Sequence, residues 1–136
     1  MGEVTLAWTG DRLQFVGQTG YGDAILVGGN IEGPGAKPSD LLPLSLAACT
    51  AYDVVEILRK QRQGLRELRV VISFEQDPDP PWTFRSIHLR FVLIGSVQEH
   101  KARRAVELAE SKHCSVAATL RPVVRLTHDV ELHDAS

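Results

Sequence analysis

The sequence predicts an α+β fold with mainly antiparallel sheets around one long central helix, and three observations lead to this fold class. Short alternating apolar patterns near the N-terminus, and longer ones in the middle and at the end of the chain, predict strands. A long and largely apolar segment, residues 37–62, has the spacing of an amphipathic helix. Strands and helices are grouped along the chain instead of alternating, which argues against a doubly wound parallel sheet.

Length and composition indicate one soluble domain over residues 1–136. The 136 residues carry 15 Lys and Arg against 17 Asp and Glu, a net charge of −2, so no basic surface points to nucleic acid. The first residues lack the apolar run of a secretory signal, and the most apolar segment, 41–52, is shorter than the roughly 20 residues that a membrane-spanning helix needs. We therefore expect a cytoplasmic protein with neither nucleic acid nor membrane as a partner.

Three short strands are expected before the long helix. Val4, Leu6 and Trp8 alternate with polar or small residues and a turn sequence follows, so the first two strands should form a hairpin. A third short strand is expected over 24–27. Residues 28–37 hold four glycines and one proline and should form a loop. No Gly-Lys-Ser/Thr follows the glycines, so this loop is not expected to bind phosphate.

The long helix has recognisable start and stop signals. Ser39 or Asp40 can cap its N-terminus, and Pro43 is tolerated in or near the first turn, where amides lack helical partners. The helix should run to about Arg62, with Gly64 as its terminator.

One stripe of this helix carries a cysteine. The stripe has 4-3-4 spacing and consists of Leu42, Leu46, Cys49 and Asp53. Small residues at 45, 47, 48 and 51 permit close approach by another element, such as the same helix of a second subunit. A helix with so much apolar surface at one end should be buried.

The second half of the chain is expected to hold two long strands, two helices and a final strand. The strands cover 68–75 and 84–94, the helices 97–112 and 111–120, and the last strand 124–132. Cys114 falls in the first turn of the second of these helices. There the helix dipole and unpaired amides should stabilise a thiolate.

The chain has two cysteines, Cys49 and Cys114, and their setting limits the chemistry. Taken alone, a cysteine in an Ala/Ser-rich helix is ordinarily a small buried hydrophobe. No CxxC motif or four-cysteine zinc set occurs, the five histidines are scattered, and no Gly-x-Ser-x-Gly elbow is present. We therefore expect no metal site. Thiol chemistry between the two cysteines is the function that the residues allow, and Cys49, in mid-helix, would need an external cation such as an arginine.

Two segments resemble the motifs of one family. Residues 38–42, PSDLL, and 46–50, LAACT, are similar to the proline, acidic, double-leucine and Ala-Cys-Thr motif of the OsmC/Ohr family. Residues 113–116, HCSV, resemble the family's second motif, Cys-Pro/Ser-Val, which precedes a final strand. The resemblance covers nearly the whole chain and is greatest to the OsmC-like branch.

This resemblance implies a fold, an assembly and an activity. The family forms intertwined homodimers with the long helices at the centre and active sites at the subunit interface. Its enzymes are thiol-dependent peroxidases that reduce hydroperoxides, preferentially organic ones in the Ohr branch, without haem, flavin or metal cofactors. Carried onto this sequence, Cys49 would be the peroxidatic cysteine and Cys114 the resolving one. An external dithiol would reduce the resulting disulfide.

The remaining family residues match less closely. An acidic residue on the first helical turn holds an arginine near the thiolate, and Asp40 stands where many OsmC-like members have glutamate. The family arginine before the Gly-rich loop has no counterpart in 24–27, so Arg12 is the nearest stand-in. Further candidates are Arg59, Arg62 and Arg121. The alternative hypothesis is therefore a non-peroxidatic OsmC-like protein that binds a small apolar or thiol-reactive ligand in a dimer cleft near Leu42, Leu46 and Tyr52.

Overall fold

The strands expected near the N-terminus form a three-stranded antiparallel sheet in the computed structural model, which describes residues 2–28 and 34–134. The strands are β1 (Thr5–Trp8), β2 (Gln14–Gln18) and β3 (Ala24–Gly28), paired in the order β1-β2-β3. The turn between β1 and β2 is closed by the Trp8 indole, which donates to the carbonyl of Arg12 at 2.8 Å. The predicted hairpin and third strand are thus confirmed.

The end of the Gly-rich segment returns alongside β3. The amide of Gly28 donates to the carbonyl of Ala36 at 2.9 Å, and the amide of Ala36 donates to the carbonyl of Leu26 at 2.9 Å. Part of the predicted loop, residues 29–33, lies outside the described residues. The backbone pairing of Ala36 with β3 leads the chain directly into the long helix.

A short 3₁₀ turn leads into the long helix. The turn covers Pro38–Asp40 and precedes helix α1 (Leu41–Lys60), and Lys37, with extended backbone, is the N-cap residue of the turn. No side chain caps this turn. Pro38 has the fixed φ of a first helical residue, so Ser39 and Asp40 lie inside the turn directly before α1. That either of them caps α1 stays a prediction.

The helix also ends without the predicted glycine. Arg62 takes a left-handed conformation, with φ of 56°. Its amide donates to the carbonyl of Arg59 at 3.0 Å, and the amide of Gln63 donates to the carbonyl of Leu58 at 2.9 Å. These two bonds form a Schellman motif with an arginine in the position where glycine is usual. Gly64 is instead the first residue of the next strand.

The second sheet is built around one strand that is buried on one face. Its strands are β4 (Gly64–Gln76), β5 (Phe84–Ser96) and β6 (Arg125–His133), in the order β4-β5-β6. β4 and β5 are antiparallel, whereas β5 and β6 are parallel. Alternate residues of β5, namely Ile87, Leu89, Phe91 and Leu93, are buried in the core. The predicted α+β class with mainly antiparallel sheets is confirmed, with one parallel pair.

The parallel pair needs a crossover, and the crossover carries the second cysteine. It consists of α2 (Glu99–Leu108), a π-helical turn (Ala109–His113) and α3 (Ser115–Leu120). The sequence predicted an α-helix as far as 112, but its last turn is the wider π-helical one. A π turn holds more residues than an α turn, so it changes the direction in which the following residue, Cys114, points.

The chain divides into two compact units, Met1–Leu42 and Pro43–Ser136. The first contains β1 to β3, and the second contains most of α1, β4 to β6 and the crossover. That residues 1–136 form one domain stays a prediction.

Among the described residues, one helical segment, Pro38–Lys60, is long and apolar enough to cross a membrane by length and composition. The core helix of a soluble protein meets the same criterion. Leu46, Val54 and Leu58 of this helix are fully or almost fully buried in the core cluster. The segment therefore fits a core helix of a soluble protein.

Candidate active site

Cys49 lies at the edge of the buried face of α1. The residues that face the core are four apart, Leu46, Thr50, Val54 and Leu58, and each is at most 1% exposed. The predicted stripe continued from Leu46 to Cys49 and Asp53. The buried face instead continues from Leu46 to Thr50 and Val54, each one residue further along the chain. As a result Cys49 packs against the core but keeps part of its surface accessible.

The neighbouring residue, Thr50, is a polar group in this apolar face. Its hydroxyl donates within the helix, to the carbonyls of Leu46 at 2.9 Å and Ala47 at 3.1 Å. A buried hydroxyl satisfied by its own helix needs no partner from the sheet. Thr50 therefore packs like an apolar residue beside Cys49.

Cys114 lies at the junction of the π-helical turn and α3. It is the N-cap residue of α3 and is only 3% exposed. Its sulfur accepts a hydrogen bond from the amide of Ala117 at 3.3 Å. The backbone of Cys114 is extended, with φ of −94° and ψ of 110°, and this conformation directs the side chain into the core.

The structure brings the two cysteine side chains together as free thiols. Cys49 is a neighbour of Cys114, close enough for its thiol to affect the titration of Cys114, as a two-cysteine cycle requires. Burial, and then the neighbouring Cys49 thiol, raise the pKa of Cys114 to about 11, although the amides of Ala117 and Val116 act in the opposite direction. The expectation that the helix N-terminus makes Cys114 a thiolate is therefore wrong, because burial outweighs the amides.

The other predicted site residues lie apart from this contact in the chain. Arg12, in the first unit, has its Nη2 3.4 Å from the carboxylate of Asp11. Asp40 belongs to the exposed 3₁₀ turn of the same unit. Arg59 and Arg62 lie at the C-terminal end of α1 and just beyond it. The catalytic roles of Arg12 and Asp40 stay predictions.

One feature of the second unit was missed by sequence reasoning. Glu110, in the π-helical turn, forms an ion pair with Nδ1 of His128 on β6, and their side chains are only 14% and 28% exposed. The Nη2 atom of Arg121 donates to the carbonyl of Glu110 at 2.8 Å. No local sequence signal marks this pair, since its partners are in different elements. Among the described residues, no three His, Cys, Asp or Glu side chains are grouped to hold a metal ion.

The Glu110–His128 pair should make stability depend on pH. The hydrogen bond between them raises the pKa of His128 above its ordinary 6.5 and lowers that of Glu110 below its ordinary 4.5. The pair therefore stabilises the fold fully between pH 4.5 and pH 6.5, the ordinary pKa values of the two groups. This stabilisation is lost as pH rises through the raised pKa of His128. It is also lost as pH falls through the lowered pKa of Glu110. We expect Glu110→Gln to lower the free energy of unfolding by about 1–2 kcal/mol at pH 5.5 and by clearly less at pH 9, measured by urea denaturation.

The matched control for this measurement is the exposed pair of His133 and Glu131, whose nitrogen and oxygen are 3.1 Å apart. Glu131→Gln should change the free energy of unfolding by less than about 0.5 kcal/mol at either pH, because solvent screens an exposed pair. Equal and pH-independent effects of the two substitutions would contradict the assignment.

Comparison with known proteins agrees with this arrangement. The family model described as OsmC-like protein matches residues 29–129. Protein YhfA of Escherichia coli K12 is 34% identical over 123 residues, which cover 90% of this chain and 92% of YhfA. The structure of a hypothetical protein from Aquifex aeolicus VF5 is similar at 28% identity with a TM-score of 0.88, covering 100% of this chain and 98% of that one.

A more distant structure has a name that refers to peroxides. The organic hydroperoxide resistance protein OhrB of Bacillus subtilis is similar at 18% identity with a TM-score of 0.61, covering 96% of this chain and 98% of OhrB. This likeness concerns the fold alone. The family model covers most of the sequence, and it confirms the family predicted from the two cysteine motifs. The chain belongs to the OsmC-like protein family.

Proposed function

We propose that this protein is a thiol-dependent peroxidase that reduces organic hydroperoxides to alcohols, with Cys49 as the peroxidatic and Cys114 as the resolving cysteine. The observation that carries the proposal is the proximity of two free thiols, one partly accessible and one buried. Family membership and the hydroperoxide-related name of OhrB support the substrate class. The function would be an antioxidant one in a stress response.

In the first step the thiolate of Cys49 attacks one oxygen of the hydroperoxide. The O–O bond breaks, Cys49 becomes a sulfenic acid, and the departing alkoxide takes up a proton and leaves as the alcohol. Cys49 suits this role because it retains accessible surface. The buried Cys114, whose pKa is raised to about 11, keeps its proton at neutral pH and does not compete for the peroxide.

In the second step Cys114 attacks the sulfenic sulfur of Cys49. An S–S bond forms, the S–O bond of the sulfenic acid breaks, and the hydroxide leaves as water with the proton of the Cys114 thiol. The buried position of Cys114 keeps it beside Cys49 for this reaction. An external dithiol then reduces the disulfide to two thiols and is itself oxidised. The two sulfurs supply the chemistry of this cycle without a cofactor.

A cation near Cys49 would stabilise its thiolate. The family's own arginine position has no counterpart in this chain, and we propose Arg12, oriented by Asp40, as its stand-in. Arg59, Arg62 and Arg121 are the further candidates, and of these Arg121 is hydrogen-bonded to the carbonyl of Glu110. An arginine beside the attacked peroxide would also stabilise the negative charge that develops on the departing oxygen.

We infer a cytoplasmic homodimer, with a hydroperoxide and a dithiol as its small-molecule partners. The exposed apolar side chains of α1 support the dimer, since Leu44 and Tyr52 are 51% and 71% exposed. A reducing compartment would keep both cysteines as thiols between turnovers.

The test is thiol counting with defined peroxides. One equivalent of cumene hydroperoxide should remove both free thiols of the native chain, and dithiothreitol should restore them and sustain turnover. Hydrogen peroxide should react more slowly than cumene or tert-butyl hydroperoxide. Persistence of both thiols in excess cumene hydroperoxide would refute the proposal.

A second candidate function is suggested by an open groove in the second unit. The groove has a volume of about 910 Å³. It is lined by Ala48, Ala51, Tyr52, Val55, Glu56, Arg59, Lys60, Leu68 and Val70. Tyr52 lies in this lining, whereas Leu46 is 1% exposed and belongs to the core.

A groove of this size and apolar character suits a small apolar ligand. The alternative is therefore a non-peroxidatic protein that binds such a ligand. One-to-one binding of the probe 8-anilinonaphthalene-1-sulfonate, together with no consumption of any hydroperoxide, would favour it over the peroxidase.

A further inference from the structure

The position of Cys114 depends on an irregular segment of backbone. The π-helical turn Ala109–His113 precedes it, Cys114 itself is extended, and α3 begins only at Ser115. π-helical turns are rare and are frequently found at functional sites. Because neither a long helix nor a strand fixes the Cys114 backbone, other contacts must hold the sulfur in its direction toward Cys49.

Two side-chain interactions connect this segment to its surroundings. Glu110 in the π-helical turn forms the ion pair with His128 on β6, and Arg121 at the end of α3 donates to the carbonyl of Glu110 at 2.8 Å. Glu110 precedes Cys114 in sequence and Arg121 follows it. Glu110 therefore connects the turn before Cys114, the residue that follows α3, and strand β6 of the sheet.

The sheet end of this connection is rigid. His128 is in register with Leu89, a core residue of the central strand. Its ring packs edge-on against Phe91, with centroids 6.5 Å apart at an angle of 79°, and Phe91 is fully buried. The imidazole is thus fixed by packing, and an ion pair with it fixes Glu110 in turn.

Charged and polar side chains surround the pair at an open depression of the surface. A small cavity of about 340 Å³ adjoins it, lined by Arg104, Glu107, Glu110, Ser111, Arg121 and His128. Glu107 is paired with Arg104 at 3.4 Å, and the hydroxyl of Ser111 donates to the carbonyl of Glu107 at 2.6 Å. The neighbouring acid Glu107 is thus paired with Arg104, and Glu110 is the carboxylate that connects the π-helical turn to His128.

We propose that Glu110 and His128 are positioning residues that hold Cys114 against Cys49 for disulfide formation. The role of this residue pair in catalysis rests on the proposed peroxidase function. The pair supports the backbone that precedes Cys114 and not that of Cys49, so it acts on the second step alone. In that step the S–S bond forms while the S–O bond of the Cys49 sulfenic acid breaks and water leaves. Loosening the π-helical turn lowers the effective concentration of the Cys114 sulfur at Cys49.

The first test separates the two steps in a single turnover. In Glu110→Gln, the second-order rate of sulfenic acid formation with cumene hydroperoxide should equal that of the native chain. The first-order rate of disulfide formation should fall about tenfold. Glu99→Gln is the matched control, since Glu99 pairs with Arg103 of the same helix at 3.0 Å on an exposed surface, and both rates should be unchanged there.

The second test does not need peroxidase activity. The equilibrium between dithiol and disulfide forms in mixtures of reduced and oxidised dithiothreitol measures how readily the two cysteines join. Glu110→Gln should lower the equilibrium constant for disulfide formation about tenfold, whereas Glu99→Gln should not. A native chain that forms the disulfide but consumes no hydroperoxide would refute the proposed function and leave the positioning role intact.

A merely structural role predicts a different outcome. Glu110→Gln would then lower the unfolding temperature but leave both the rate of disulfide formation and the dithiothreitol equilibrium at their native values, and this result would overturn the proposal. If Glu110→Gln does not fold, His128→Gln removes the same charge pair from the strand side and is measured in its place. The same tenfold losses are expected for it.

Discussion

Replacing Cys49 with serine should abolish hydroperoxide consumption, with a loss on the order of 1,000-fold or more. A thiolate is the nucleophile in the proposed first step, and a serine hydroxyl without a general base is a far weaker one. Cys49 is partly accessible and packs at the edge of the core, so the exchange of sulfur for oxygen should leave the fold unchanged. The measurement is peroxide consumption with dithiothreitol, for cumene hydroperoxide and for hydrogen peroxide.

The matched variant is Cys114→Ser, which should have a different effect. Its first turnover should proceed at the native rate, because Cys114 takes no part in the attack on the peroxide. The reaction should then stop at a sulfenic acid on Cys49, which dimedone labels and mass spectrometry detects. A native rate of consumption in Cys49→Ser would contradict the peroxidase proposal, and an unlabelled Cys114→Ser chain after peroxide treatment would contradict the assignment of the two roles.

The sequence was sufficient to predict the fold class and the family. The strand patterns, the apolar breadth of the long helix and the two cysteine motifs are local features, and each can be recognised without knowing the fold. The proximity of Cys49 and Cys114 is different, since it depends on the crossover that follows β5 and on the π-helical turn within it. The family resemblance implied that the two cysteines meet, and their action as a catalytic pair stays a proposal.

The incorrect prediction of a Cys114 thiolate and the missed Glu110–His128 pair have a common physical cause. A helix N-terminus lowers the pKa of a thiol, which led to the prediction of a thiolate at Cys114. Burial has the larger effect and raises the pKa of Cys114 to about 11. In the same way, Glu110 and His128 are ordinary helix and strand residues in the sequence. Their pairing appears only once the parallel register of β6 is known. Electrostatic effects depend on burial and on distant neighbours, which periodicity does not reveal.

Gly95→Ala should be the most destabilising of the substitutions proposed for this chain. The sequence predicted that this strand ends at residue 94, but β5 continues through Gly95 to Ser96. Gly95 has φ of 148°, and a Cβ atom there would lie 2.2 Å from the carbonyl oxygen of Gly64 and 2.9 Å from the amide of Arg66. The register shift between Leu65 and Glu67 makes Arg66 the extra residue of a bulge opposite this glycine.

The cost follows from which atoms would clash. Backbone atoms of β4 cannot rotate away as a flexible side chain can, so alanine must displace the bulge or open the strand pair. We expect the free energy of unfolding to fall by about 3 kcal/mol or more, measured by urea denaturation. Gly20→Ala is the control, because a Cβ atom there would have no neighbour within 4 Å, and it should change the free energy by about 0.5 kcal/mol or less.

Gly95→Ala also tests whether disulfide formation between Cys49 and Cys114 depends on the C-terminal end of β5. Next to the bulge, the amide of Gln98 donates to the side-chain oxygen of Gln63 at 2.9 Å, which joins the start of α2 to the end of α1. Cys114 is held by other contacts, namely the amide of Ala117 and, as proposed above, the Glu110–His128 pair. Gly95→Ala should therefore lower the unfolding midpoint while the folded fraction forms the disulfide at the native rate. Equal midpoints for Gly95→Ala and Gly20→Ala would show that the bulge relaxes without cost.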